Sequence, residues 1–207
     1  MSIKISVNKM LLDKEIKSSI AKKNNSAQLK RNIEAGNKLL IKEFEEIKKE
    51  MIKDFLNLPV TREISAGPTA SNISRTLQGY GNLFTFIGFD SGSTPIAPIV
   101  ELLEKTKIEI FNPNPRGTIK VRIEMPSNKD IFAITPLPWA TGISWAQSIE
   151  RGLSGLGWYM KKKSDSSRST EGIQIKNKIR NVKFSNTKYI SHFLTKWNKK
   201  FSSIGKR

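Results

Sequence analysis

From Leu29 onward, apolar residues recur in steps of three, four or seven: Leu29, Ile33, Leu40, Phe44, Ile47, Met51, Phe55 and Leu58. That spacing lines one face of an α-helix. Glu43, Glu45, Glu46, Lys48, Lys49 and Glu50 fill the opposite side, with Glu45 and Lys49 in the favourable i,i+4 order. Pro59 cannot continue a helix and disfavours helical backbone at the residue before it, so the pattern predicts a helix over about 26–57. Such a helix would be roughly 45 Å long, more than the diameter of a small domain. A shorter helical candidate over 13–22 precedes it, with Lys22-Lys23-Asn24-Asn25 as the break.

After Pro59 the helical period is lost, and residues 59–98 are rich in Gly, Pro, Ser and Thr with aromatics interleaved. The run Gly79-Tyr80-Gly81-Asn82-Leu83-Phe84-Thr85-Phe86-Ile87-Gly88-Phe89 reads as a glycine-hinged strand or loop. Two roles are open for it. Its Phe residues enter the core, or it is an apolar loop that docks on a neighbouring subunit.

A short helix over 98–106 follows, and then strand material. Residues 107–111 alternate, and residues 118–125 alternate strictly, with a Pro- and Gly-rich turn over 112–117 between them. Ile131 to Thr135 reads as a third strand. Lys120, Arg122 and Glu124 share one face, read as solvated. Residues 144–153 form a helix with Trp145, Ile149 and Leu153 on one stripe; residues 172–183 alternate again; residues 188–201 make a final amphipathic helix. This order does not alternate as βαβ units would. The fold class is therefore α+β: a long N-terminal amphipathic helix, a small antiparallel sheet and a C-terminal amphipathic helix. Residues 1–58 form the helical segment and residues 59–207 the α+β core with a basic C-terminal part, together one structural domain with a helical appendage.

Composition narrows the chemistry. The 207 residues include no Cys and a single His, His192, which excludes disulfides, thiolate zinc sites and thiol catalysis. Lys and Arg number 36 against 18 Asp and Glu, a formal net charge of +18. The excess is uneven: +5 over residues 1–58, +1 over 59–160 and +12 over 161–207. Residues 1–17 lack the apolar run of a secretory signal, and residues 78–99 are too broken by Gly and Pro for a membrane span. Glu101, Glu104, Glu109, Glu124, Asp130 and Glu150 are scattered among cations, His192 has no carboxylate nearby in sequence, and no phosphate-binding loop is present. No catalytic or metal-ligating residue is assigned, no cofactor is implied, and an enzyme is not expected.

The basic part suits a polyanion. Lys161, Lys162, Lys163 and Arg168 cluster, and Lys176, Lys178 and Arg180 follow at alternate positions, on one face if the segment is a strand. Aligned cations fit a phosphate backbone without reading bases. The plainer alternative is a solubilising face.

Three features give the chain a resemblance to the phage neck and tail-completion proteins, the head–tail joining family that forms rings between portal and tail tube. The N-terminal helix runs into Pro59-Val60-Thr61, followed by Ser74-Arg75-Thr76-Leu77. The segment Trp145-Ala146-Gln147-Ser148-Ile149-Glu150-Arg151-Gly152 is similar to that family's aromatic–Ala–x–x–aliphatic–Glu–x–Gly pattern, although Leu153 and Ser154 follow where the family usually has a Thr. A basic strand and a C-terminal amphipathic helix close the series. Glu150 reads as a structural carboxylate near a helix end.

The resemblance implies a virion protein of neck or tail, made in the host cytoplasm. Its expected partners are further copies of itself in a homo-oligomeric ring, a portal or adaptor protein, and a tail tube or tail terminator protein. Double-stranded DNA passing through the channel is a further partner; no membrane is. Phe84, Phe86, Ile87 and Phe89, with Phe44 and Met51 of the long helix, are the expected subunit-interface residues. Lys161, Lys162, Lys163, Arg168, Lys176, Lys178 and Arg180 are the expected DNA- or partner-facing cations. The alternative is a nucleic-acid-binding accessory protein without sequence preference.

Overall fold

A computed structural model of the chain describes residues 2–6, 26–77, 82–111, 119–138, 140–151 and 187–204. The expected helix over 13–22, the turn over 112–117 and the strand over 172–183 lie outside them. Strand β1 (Ser2–Ser6) is followed by helix α1 (Ser26–Asn57), α2 (Pro59–Ser65), α3 (Leu83–Ile87) and α4 (Ala97–Glu104). Strands β2 (Lys107–Phe111) and β3 (Lys120–Glu124), helix α5 (Asn128–Ala133) and a two-strand hairpin of β4 (Pro136–Leu137) and β5 (Ala140–Ser144) come next. Helices α6 (Trp145–Arg151) and α7 (Ile190–Phe201) complete an α+β chain.

The chain divides into two compact units, each made of separate stretches of sequence. The expected boundary at residue 58 is not where the division falls. The first unit comprises Met1–Lys53, Leu103–Pro126 and Thr195–Arg207. Its sheet has the order β1-β3-β2, with both outer strands antiparallel to β3. Alternation along β3 sends Val121 and Ile123 inward, where both are buried, and leaves Lys120 exposed. Helix α1 contributes buried Leu40, Phe44, Ile47 and Met51, the stripe its spacing predicts. The C-terminal half of α7 adds buried Trp197 and Phe201, whose ring meets Phe44 at 5.6 Å between centroids. Each such side chain stabilises the fold by about 1.5–3 kcal/mol through burial.

The second unit comprises Asp54–Leu102 and Ser127–Leu194. Its described core is a chain of rings. Phe55 meets Phe193 at 5.3 Å and Tyr189 at 6.1 Å; Tyr189 meets Trp145 at 6.5 Å; Trp145 meets Phe89 edge-on at 5.8 Å; Phe89 meets Phe84 at 5.4 Å. Tilted and edge-on contacts at such separations suit the ring quadrupoles.

Three sequence expectations need correction. Pro59 ends α1 but opens α2 as its first residue, where its missing N–H costs nothing, so helix resumes at once. Residues 83–87 are helical, not a strand or loop. Asn82 Oδ1 caps the turn by accepting the Thr85 N–H at 2.9 Å, and Gly88 ends it at φ +87°, a left-handed conformation that favours Gly. Residues 131–135 are not a strand: Ile131 lies in α5, which a reciprocal cap between Ser127 and Asp130 starts.

Candidate functional site

Helix α2 presents Glu63, a fully buried residue whose two oxygens accept backbone N–H groups at 2.7 Å, one from Ser74 and one from Leu83. The carboxylate thereby ties the loop after α2 and the first turn of α3 to one helix. Asn82 joins the same arrangement, its amide nitrogen donating to the carbonyls of Pro68 at 2.8 Å and Ala70 at 3.0 Å. Two backbone N–H groups and two carbonyls are satisfied by two side chains. Sequence reasoning passed over Glu63, because nothing in its own surroundings marks it; its partners lie 11 and 20 residues away.

A second buried link joins the start of α2 to the segment before α7. Thr61 Oγ1 and the Tyr189 hydroxyl are 2.7 Å apart. Burial pushes the Tyr189 phenol well above the ordinary tyrosine range, partly offset by the Thr61 hydrogen bond, so it stays neutral. Thr135 and Ser144 hydroxyls pair likewise at 2.7 Å, joining the end of α5 to β5. Glu150, on the last turn of α6, accepts the N–H of Ser191 in the first turn of α7. It is the structural carboxylate that its sequence context suggests.

The outward face of the sheet carries a cross-strand ion-pair ladder. Lys107 lies 3.0 Å from Glu124 and 3.4 Å from Glu109, and Arg122 lies 3.5 Å from Glu109. The hydrogen bond and charge of Glu124, then those of Glu109, raise the Lys107 amine above the usual lysine value. The Arg122 guanidinium stacks over Phe111 at 5.1 Å from the ring centre. These are solvent-screened pairs, each worth about 0–1 kcal/mol. The expected solvated face of Lys120, Arg122 and Glu124 is this ladder.

The expected interface residues are mostly interior. Phe44, Met51, Phe84 and Ile87 are buried within the chain, and Phe86 and Phe89 are half-buried, with Phe89 held between Phe84 and Trp145. The core role weighed for residues 79–89 accounts for Phe84, Ile87 and Phe89, so their apolar area is already used. Exposed large apolar residues lie elsewhere: Leu39, Ile41, Leu56 and Phe111. Leu39 and Ile41 flank the buried stripe of α1 on opposite sides and form no single patch. Lys161, Lys162, Lys163, Arg168, Lys176, Lys178 and Arg180 lie outside the described residues.

Among the described residues, no group of three or more His, Asp or Glu could hold a metal ion, and His192 is exposed on α7. Among the same residues, no helix is long and apolar enough to cross a membrane. Comparison with protein-family models, curated proteins and solved structures returns no match.

Proposed function

We propose that this chain is a structural subunit of a virion neck, a ring-forming head–tail connector of the tail-completion type that joins the capsid portal to the tail. It works through contacts rather than catalysis. One observation carries the reading: the polar groups with defined surroundings are spent on holding shape. Glu63, Glu150 and Asp130 each accept a backbone N–H, and Thr61 with Tyr189 and Thr135 with Ser144 pair with each other. A framework of this kind fixes loops for docking and offers no group poised for proton transfer. The resemblance in the segments around Pro59 and Trp145 supplies the particular assembly. Its partners would be further copies of the chain, a portal or adaptor ring, and a tail tube or terminator protein.

Mass photometry of the purified protein tests this. Rings, or ring-sized species that grow with concentration, are the expected result; a monomer at every concentration refutes it. A second reading rests on the 14 basic and 2 acidic residues over 161–207: a nucleic-acid-binding accessory protein. A monomer that shifts on DNA and is released by salt would support that reading instead.

A further inference from the structure

Both outer strands of the three-stranded sheet present an open edge. Among the described residues β1 and β2 each have β3 as their only strand neighbour, and both run antiparallel to it, so they run in the same direction as each other. Strand β2 pairs with β3 over five residues without a register break and contains no Pro. Its charges, Lys107 and Glu109, lie on one face only, so no inward charge, Pro or bulge blunts the edge. The inward side is also incomplete. Ile108 and Ile110 are only half-buried, although the residues they face on β3, Ile123 at 0% and Val121 at 2% exposure, are fully covered. One more strand beside β2 would complete their burial.

The register says which strand fits. Lys4 of β1 and Glu109 of β2 both stand opposite Arg122, on the same face and at the same level of the sheet. One edge therefore carries a cation position and the other an anion position at matched height. Self-pairing of β2 at that level would set Glu109 against Glu109, and self-pairing of β1 would set Lys4 against Lys4, both unfavourable. Joining β2 of one copy to β1 of another sets Glu109 beside Lys4 and keeps isoleucines beside isoleucines. Within its own chain Glu109 is held only loosely, at 3.4 Å from Lys107 and 3.5 Å from Arg122, which leaves it acceptor capacity.

We propose that copies of this chain join head to tail through these edges, β2 of one pairing in parallel with β1 of the next, so that the sheet continues from subunit to subunit. The contact is heterologous, the type that closes into rings. The inference rests on the assembly reading above and supplies its contact.

Hydrogen exchange of the unmodified protein, below and above the concentration at which it assembles, is the test. Amides of residues 2–6 and 107–111 should exchange about tenfold or more slowly in the assembled state. Assembled particles with no added protection at either strand would overturn this contact while leaving the assembly reading intact; no assembly at any concentration would overturn both. Charge reversal gives a second test. Lys4→Glu and Glu109→Lys, each folded by circular dichroism, should each assemble about fivefold or more weakly per contact, and an equimolar mixture should regain assembly. Full assembly by Lys4→Glu alone, or no recovery in the mixture, would overturn the head-to-tail pairing. If Glu109→Lys does not fold, the exchange measurement decides.

Discussion

Replacing Glu63 by Gln keeps the side chain's size and removes half of its function. One oxygen remains to accept from Ser74 or Leu83, both now at 2.7 Å, and the new amide NH₂ faces the other N–H donor to donor. A hydrogen bond to a charged acceptor contributes about 1.5–3 kcal/mol, and a buried N–H left without a partner costs about 1–3 kcal/mol. Relief of the carboxylate's own desolvation offsets part of this. A net loss of about 2 kcal/mol follows for Glu63→Gln, and about 3–4 kcal/mol for Glu63→Ala, which empties the site. For a chain of this size 2 kcal/mol lowers the melting temperature by about 4–8 °C. Urea denaturation gives the free energy, and hydrogen exchange gives the location. The Ser74 and Leu83 amides should exchange faster in Glu63→Gln than those of Phe193 or Phe201 on α7. Unchanged stability, or loosening spread evenly over the chain, would refute the role given to this carboxylate.

Three further outcomes follow from the same geometry. Tyr189→Phe and Thr61→Val should each lose about 1–3 kcal/mol by stranding the partner hydroxyl, and the double variant should lose less than their sum, as a double-mutant cycle in urea would show. Ser127→Ala should lose about 1 kcal/mol by uncapping α5. The backbone and hydroxyl hydrogen bonds of Ser127 lower the Asp130 pKa, so its stabilisation is complete above the ordinary carboxylate value of about 3.9 and is lost as pH falls through the lowered one. The Ser127→Ala deficit should therefore shrink in acid melts. Phe84→Ala should cost about 3–5 kcal/mol as a core truncation, whereas the half-buried Phe86 should tolerate Ser with a smaller loss; equal losses would mean that Phe86 contributes to the core no less than Phe84 does.

How much of this was legible in the sequence depends on how local the deciding interaction is. Helix α1 repeats one apolar stripe over many turns, so Leu40, Phe44, Ile47 and Met51 could be placed inside from spacing alone. The alternation of residues 107–111 gave β2 its bounds for the same reason. Helices α3 and α5 are too short for a period to emerge. Their signals are caps: Asn82 with Gly88, and Ser127 with Asp130, which reading for apolar pattern passes over. Strand β1 alternates as Ser-Ile-Lys-Ile-Ser, but five residues become a strand only because β3, far along the chain, accepts them. Glu63 and Tyr189 are illegible for a stronger reason. A carboxylate on a seven-residue helix reads as surface until Ser74 and Leu83 are seen to bring their N–H groups to it, and tertiary structure alone does that.

Charge then separates the two partner classes that the proposed function carries. On the sheet face Lys107 and Arg122 already face Glu109 or Glu124 at 3.0–3.5 Å, so a polyanion there would have to displace carboxylates and would meet their repulsion. The uncompensated cations lie along residues 161–207, where 14 basic residues stand against 2 acidic ones. Contact with DNA therefore belongs to that segment, and contact between copies to the strand edges. The two respond differently to salt. Phosphate contacts release counterions, so binding should fall with a slope of about −0.9 for each phosphate neutralised. Backbone pairing and isoleucine burial are not screened, so assembly through β1 and β2 should lose only the small part contributed by Lys4 and Glu109. A titration in which DNA release and disassembly run in parallel would mean that one surface serves both, and would break this division. Assembly that survives at a salt concentration where DNA is gone would support it.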